Sequence, residues 1–316
     1  MALTQTIVRI IESCKEHYPC DADIRYNEPM AQHCTFKVGG PADCWIRPTG
    51  DGFPEFAGAL LHMARSEHIP VCTLGGGANI LVSDAGIRGI VLDTGGWTGL
   101  AAQEGSLLEL RAGTSLDAAA EIAAALGLCG LEFLAGMPGS MGGALWMNAR
   151  AYGSEIADVL YETEVVDFGN SQPERKRLPV KRDEYCYKHS PFQGRSQLIV
   201  SAACMLKQDD EQKIREKMEA NRTDRTDKGH YRYPCAGSVF KNNPGFGKPS
   251  GQIIDELGLR GLQIGGAQIA PWHGNIIINT GDPAASAQDI RALVDEVSLK
   301  VKNATGFTLE PEILFF

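Results

Sequence analysis

Two glycine-rich stretches carry the most direct chemistry in this sequence. Gly75-Gly76-Gly77-Ala78-Asn79 follows an apolar run, and Gly136-Met137-Pro138-Gly139-Ser140-Met141-Gly142-Gly143 lies further along the chain. Glycine admits positive φ and has no Cβ to block close approach, so successive N–H groups can line one concavity that takes phosphate oxygens. Pro138 suits the first position of a helix, which would leave the N–H groups of Gly139 to Gly142 for an anion. Glycines also make ordinary turns, but two such loops acting together are expected to grip one diphosphate. No G-K-[ST] follows Gly75, and no G-x-G-x-x-G opens a helix behind it, which argues against a P-loop or a Rossmann site. Pro138 stands where a G-x-S-x-G nucleophile elbow requires glycine.

Metal and disulfide chemistry find no pattern to rest on. The nine cysteines are scattered without a C-x-x-C, and the seven histidines include no H-E-x-x-H, so no metal is expected and the thiols read as reduced.

The elements around the glycine loops follow from periodicity. Val71–Leu74 reads as a strand entering the first loop and Ile87–Leu92 as a second strand beyond it. Asp43–Pro48 reads as a strand stopped by proline, and Phe53–Glu67 as a helix. Leu107–Ala112 alternates like a strand, and Ser115–Leu126 is an alanine-rich helix with a polar cap and Gly127 as its stop. Residues 160–206 read as strands around the polar segment Gly169–Lys176. The charged helix Asp209–Thr226 then bridges to another lobe. Beyond it come a glycine-rich loop at Ser238, a helix Gly251–Leu257, strands around Gly261–Asn279, a helix Ser286–Lys302 and the alternating end FTLEPEILFF.

A chain of 316 residues at roughly 150 per domain suggests two or three lobes. With 43% hydrophobic and 22% charged residues it can bury a sizeable core, and its formal charge of −9 disfavours nucleic acid and anionic membranes as partners. The N-terminal segment mixes Arg9, Glu12, Lys15 and Glu16 into its apolar residues at helical period, unlike a signal peptide. No stretch approaches the ~20 apolar residues that cross a bilayer. A cytoplasmic protein with small-molecule partners is expected.

Six segments together, TFKVGGPAD, TLGGGANILVSDAGIRGIVL, LEFLAGMPGSMGGALWMNARAYGSEI, YPCAGSVFKN, GGAQIAPWHGNIIIN and LEPEI, stand in the order and approximate spacing of the UDP-N-acetylenolpyruvoylglucosamine reductases, which the chain resembles from about Asn27 onward. That resemblance implies an α+β architecture: an FAD-binding fold of the vanillyl-alcohol-oxidase (PCMH) type with a separate α+β substrate-binding domain. The implied division is a first FAD-binding subdomain over 1–93 with 304–316 returning to it, a second over 94–208, and a UDP-sugar domain over 209–303. The implied reaction carries hydride from NADPH through FAD to an enolpyruvyl ether, giving UDP-N-acetylmuramate for peptidoglycan. No obligate protein partner is implied.

The resemblance also assigns residues. Gly75, Gly76, Gly77, Ala78, Asn79, Gly136, Gly139, Ser140, Gly142, Gly143 and Asn148 fall around the FAD, with Ile156, Val200, Val38 and Gly39 joining them. Ser238 matches the family's proton donor, although in CAGSVFKN alone it reads more readily as a loop serine capping a turn than as a catalytic group. Glu312 matches the catalytic glutamate beside the substrate carboxylate, sharing the developing charge, whereas Glu310 fits an exposed strand position. Lys188 stands where the family usually has arginine, keeping the charge but not the planar fork. Tyr187, Lys241, Asn242 and Gln268 are the expected UDP-sugar contacts, and Arg222–Tyr233 reads either as a basic, aromatic approach to the diphosphate and uracil or as a solvated linker. Arg150 replaces a usual glycine near the flavin. A non-turnover flavin or sugar-nucleotide binder, or another FAD oxidoreductase of this fold, would share the glycine loops; the Ser238 and Glu312 segments favour the reductase.

Overall fold

The computed structural model describes residues 2–316, and the chain divides into two compact units. The first holds the chain up to Glu28 with Ala42–Gly76 and Arg88–Thr223; the second holds Pro29–Pro41, Gly77–Ile87 and Asp224–Phe316.

In the first unit, helix α1 (Ala2–His17) turns Ile7, Ile10, Ile11 and Cys14 inward at the three- and four-residue spacing of one helical stripe. Helix α2 (Phe53–Ser66) does the same with Phe53, Phe56, Leu60 and Ala64. Both cover a four-stranded sheet ordered Asp21–Pro29, Pro41–Thr49, Ile87–Asp93, Val71–Leu74, in which the last two strands run parallel. The second of these strands does not stop at Pro48 as expected. Pro48 is its penultimate residue, where a missing N–H costs the ladder little.

A second sheet, antiparallel and ordered Glu174–Pro179, Leu160–Asp167, Gln197–Met205, Leu107–Arg111, Leu100–Glu104, alternates its side chains between two cores. Val165 and Ile199 point toward α3 (Leu116–Ala125) and α4 (Met141–Met147), and Val166 and Val200 toward α2. Ser115 caps α3 by accepting from the Ala118 N–H, as its sequence position suggests. Helix α5 (Glu211–Asp227) is largely polar, burying Ile214 and Met218 against Ala120, Ala124 and Ala135.

The second unit is built on an antiparallel sheet ordered Cys235–Ser238, Ile276–Asn279, Ala267–Ile269, Gln263–Ile264, with α6 (Ser250–Glu256) and α7 (Ala287–Thr305). Ser286 and Asp289 form a capping box on α7, and the Asp84 carboxylate takes the Ala287 and Gln288 N–H groups. The expected long C-terminal strand is absent. Pro311 makes only a single bridge to Phe240, and regular pairing is confined to Leu314–Phe315, parallel to Ile80–Leu81. Among the described residues no helix is long and apolar enough to cross a membrane, and no three His, Cys, Asp or Glu side chains gather as a metal would need.

Candidate active site

The first unit brings Gly75 and Gly76 into direct contact with the second glycine stretch. A Cβ on Gly75 would strike Ser140 Oγ, and one on Gly76 would lie 2.6 Å from Gly139 Cα. These glycines are therefore required by loop against loop. Ser140 is buried and is the N-cap of α4, accepting from Gly143 N–H at 3.4 Å. The helix starts at Met141, so Pro138 is not its first residue. Two of the N–H groups expected to be available there are taken: Met141 donates to the Thr114 carbonyl (2.9 Å) and Gly142 to that of Ala112 (2.7 Å). Gly142 thus serves close packing on Ala112, whose Cβ would be 3.1 Å from an added one, rather than anion binding. Gly143 is different. A Cβ there would meet only Ser140 Oγ at 3.5 Å, yet alanine is the better helix former by about 1 kcal/mol. Packing gives no reason for that glycine, whereas a bound group approaching the backbone does, and a flavin dinucleotide fits this surface.

The rest of this loop is held from outside. Gly136 donates to Asp117 Oδ1 (2.8 Å), which also accepts from Arg222 Nη2 (2.8 Å); Arg222 reaches Glu121 as well (2.6 Å). Burial raises the Asp117 carboxyl, but the Gly136 N–H and Arg222 outweigh it and keep it below the usual carboxylate range. Arg222 lies within α5 and is engaged by two carboxylates, Asp117 and Glu121. Asp117 is a supporting residue that the sequence did not single out.

Asn148 ends α4 in a left-handed conformation (φ 45°), fully buried, with Nδ2 on the Cys186 carbonyl (3.0 Å) and Oδ1 accepting from Ala157 N–H (3.3 Å). It thereby anchors the turn that carries Tyr187 and Lys188, closed by reciprocal Cys186 and His189 backbone bonds. Lys188 sits at φ 59° with Nζ 5.8 Å from the Tyr187 ring centroid. Ile156 and Val200 are buried core residues; the Val200 carbonyl accepts from Ala112 N–H and Trp97 Nε1. Arg150 is exposed on the short strand Arg150–Ala151.

The second unit joins Ser238 and Glu312. Ser238 ends the strand Cys235–Ser238, not a free loop, and the residue after it pairs with the C-terminal segment: Glu312 N–H donates to the Val239 carbonyl at 2.7 Å. The Glu312 carbonyl accepts from Asn79 Nδ2 (3.0 Å), and Leu314 N–H donates to the Asn79 carbonyl. Gly77 makes the turn into Asn79 possible at φ 62°, where a Cβ would strike the His33 carbonyl. Val38 is buried, and Gly39 (φ 136°) lies so near Val82 that an added Cβ would be 2.8 Å from its Cβ. Glu310 is exposed and ion-paired with Lys241, while Glu312 is half-buried. Asn242 accepts from Ser250 N–H (2.9 Å) at the start of α6. Gln268 lies opposite Ile278 in this sheet and is bonded to Gln263 and the Gly261 carbonyl.

Near this sheet, Trp272 stacks with Tyr233 (6.0 Å) under Arg232 (5.0 Å), and the His230 and His273 rings lie 6.2 Å apart. His230 Nδ1 is buried without a hydrogen-bond partner. Burial, then the charges of Arg225, His273 and Lys228, push its pKa down to about 4, against a smaller opposing pull from Asp224. An unfolded chain takes up this proton near the ordinary value of 6.5, so stability should fall as pH drops from about 6.5 toward 4 and hold above that range. Urea midpoints across this window should slope less in His230→Phe than in the wild type; equal slopes would assign the acid sensitivity elsewhere.

Comparison with known proteins agrees with this arrangement. The family model described as the UDP-N-acetylenolpyruvoylglucosamine reductase C-terminal domain matches residues 229–316, which carry Ser238 and Glu312, and an FAD binding domain model matches 57–172, which carry both glycine stretches. The UDP-N-acetylenolpyruvoylglucosamine reductase of Treponema pallidum is 38% identical, with 92% of this chain and 93% of that protein covered. The same-named protein of Treponema denticola is 37% identical over 93% and 94%. The crystal structure of the Thermus caldophilus UDP-N-acetylenolpyruvylglucosamine reductase superposes with a TM-score of 0.74 at 30% identity, covering 94% of this chain and 99% of that one. The architecture is thus the α+β, FAD-binding fold that the sequence resemblance implied. With the fold, the glycine stretches and the paired Ser238 and Glu312 segments all in accord, this chain belongs to the UDP-N-acetylenolpyruvoylglucosamine reductase family.

Proposed function

We infer that this protein reduces UDP-N-acetylglucosamine enolpyruvate to UDP-N-acetylmuramate with NADPH and bound FAD, in peptidoglycan precursor synthesis. The observation that carries this reading is the hydrogen bond from Glu312 N–H to the Val239 carbonyl, which sets the glutamate beside the strand end bearing Ser238. FAD, when bound, supplies the hydride that it has taken from NADPH. The Gly75–Asn79 and Gly136–Gly143 stretches are the residues that would hold it, Gly143 by leaving clear the space a Cβ would fill.

Ser238 is the proton donor in this reading. Reduction leaves an enolate-like carboxylate whose neighbouring carbon is basic enough to take a proton from a well-placed hydroxyl. Glu312, held at both ends of its backbone, shares the charge that builds on the substrate carboxylate. Lys188 supplies a cation for that charge from a turn anchored by Asn148. Lys241 and Asn242 serve the UDP-sugar, with Lys241 leaving Glu310 to do so. Tyr187 and Gln268 are further contacts to the UDP-sugar in this reading. The three-part division at 93/94 and 208/209 is proposed with it, and the pairing of Leu314–Phe315 on Ile80–Leu81 supports the return of 304–316 to the first part. The nine cysteines are unpaired, which suits a reducing cytoplasm.

The test is an anaerobic visible spectrum of the purified protein, reduced with NADPH and then mixed with the enolpyruvyl sugar nucleotide. A flavin band that bleaches and returns supports the reductase; one that stays bleached discards the substrate. Lys188→Arg should keep or raise the rate of return, since arginine offers the same charge with a better fork, and Lys188→Ala should slow it by about tenfold or more. A rate lost in the arginine variant would mean that the site is shaped around lysine.

A further inference from the structure

Ser238 and Glu312 meet through a single backbone hydrogen bond at Val239, and Val239 and Phe240 are in turn gripped by one side chain that no motif singled out. Asn275 is buried at 4% exposure. Its Oδ1 accepts from Phe240 N–H (2.9 Å) and its Nδ2 donates to the Phe240 carbonyl (2.8 Å), so the carboxamide imitates a neighbouring strand. Its own carbonyl accepts from Val239 N–H (2.9 Å), and its N–H donates to His273 Nδ1 (3.1 Å). Helix α6 closes over it: a Cβ added to Gly251 would sit 3.1 Å from Asn275 Cβ.

Every polar atom of Asn275 is therefore used, and three of the four bonds end on the two residues that follow Ser238. The strand there is irregular, with a register shift between Cys235 and Ser238 and Gly237 at φ 71°, so regular sheet pairing alone does not set the height of Ser238. Phe240 bridges to Pro311 and Lys241 N–H donates to the Glu310 carbonyl, so the segment Asn275 holds is the one against which the Glu310–Glu312 segment lies.

We propose that Asn275 is a positioning residue for the reaction, fixing the Val239–Phe240 segment so that the Ser238 hydroxyl and the Glu312 carboxylate keep one relative placement. The inference rests on the reading of those two residues as the reacting groups. His273 completes the device by presenting an unprotonated Nδ1 to the Asn275 N–H. Burial, followed by the charges of Arg260 and Lys228, lowers the His273 pKa and keeps that acceptor available.

The test separates the two half-reactions in the full-length FAD-loaded protein, with Asn275→Asp as the informative variant. An ionised aspartate still accepts from Phe240 N–H but turns a second lone pair toward the Phe240 carbonyl; a protonated one restores the donor. Burial raises the pKa of such a carboxyl. The other titratable groups on the adjoining segments, His273, Lys241, Glu310 and Glu312, are common to variant and wild type, so the ratio of the two at each pH isolates position 275.

At about pH 8 the variant should reoxidise with enolpyruvyl sugar nucleotide about tenfold more slowly than wild type, with its flavin reduced by NADPH at the wild-type rate. The deficit should close as pH falls toward about 6. Asn275→Ser, which removes the carboxamide in a smaller side chain, should be slow at every pH. Equal loss in both half-reactions, or reoxidation indistinguishable from wild type, would overturn the positioning role. A wild-type protein that never reoxidises with this substrate would instead overturn the functional reading beneath it.

Discussion

Ser238→Ala leaves the flavin reducible by NADPH but slows its reoxidation by the enolpyruvyl sugar nucleotide by about 10²- to 10⁴-fold, the usual share of a positioned proton donor. The substitution removes one oxygen from a half-buried strand end whose neighbours are held by backbone bonds, Val239 N–H to the Asn275 carbonyl and Glu312 N–H to the Val239 carbonyl. The fold and the flavin surface have no need of the hydroxyl, so the loss falls on the proton transfer alone. Anaerobic stopped-flow absorbance reads both half-reactions in one preparation. A variant that turns over at the wild-type rate would remove Ser238 from the chemistry and return it to the role of a strand-end residue.

Gly76→Ala tests the flavin surface. The added methyl would lie 2.6 Å from Gly139 Cα and 2.8 Å from the Gly139 carbonyl carbon, and both are backbone atoms that cannot swing aside. One loop must move. Overpacking of this kind costs about 1–3 kcal/mol, which on binding corresponds to about a 5- to 150-fold weaker FAD. Fluorescence titration of the apoprotein with FAD should show that loss, along with a lower melting temperature. Gly143→Ala is the informative contrast, because its methyl has only Ser140 Oγ at 3.5 Å to meet within the protein. It should fold as well as wild type, and any loss of FAD affinity there reports the cofactor itself. Equal FAD binding in the Gly76→Ala and wild-type proteins would show that the loops are not the flavin surface.

Much of the local structure was legible from periodicity. The stripes of α1, α2 and α7, the cap at Ser115 and the strands Val71–Leu74 and Ile87–Asp93 follow from patterns within a few residues, where side-chain spacing and capping chemistry decide the outcome. Proline was the recurrent exception. Pro48 was read as a stop and is accommodated near a strand end, whereas Pro311 interrupts an end that alternation alone would make a strand. A proline's cost depends on whether its missing N–H faces a partner, and that is set by a neighbour outside any local window.

The site divides in the same way. The sequence by itself pointed to the two glycine stretches as the chemistry to examine, and the resemblance of its six segments to the UDP-N-acetylenolpyruvoylglucosamine reductases implied a flavin-dependent reductase with Ser238 and Glu312 as reacting groups. Only the tertiary structure decided how those residues are held. Glu312 is fixed by Asn79, 233 positions away, and Val239 and Phe240 by Asn275, some 35 positions on. The Met141 and Gly142 N–H groups are satisfied by the carbonyls of Thr114 and Ala112, and Arg222 is neutralised by Asp117 and Glu121. Each is a hydrogen bond or ion pair between residues distant in the chain, and a buried polar group keeps the partner that folding places within about 3 Å, which residue type and local spacing do not specify.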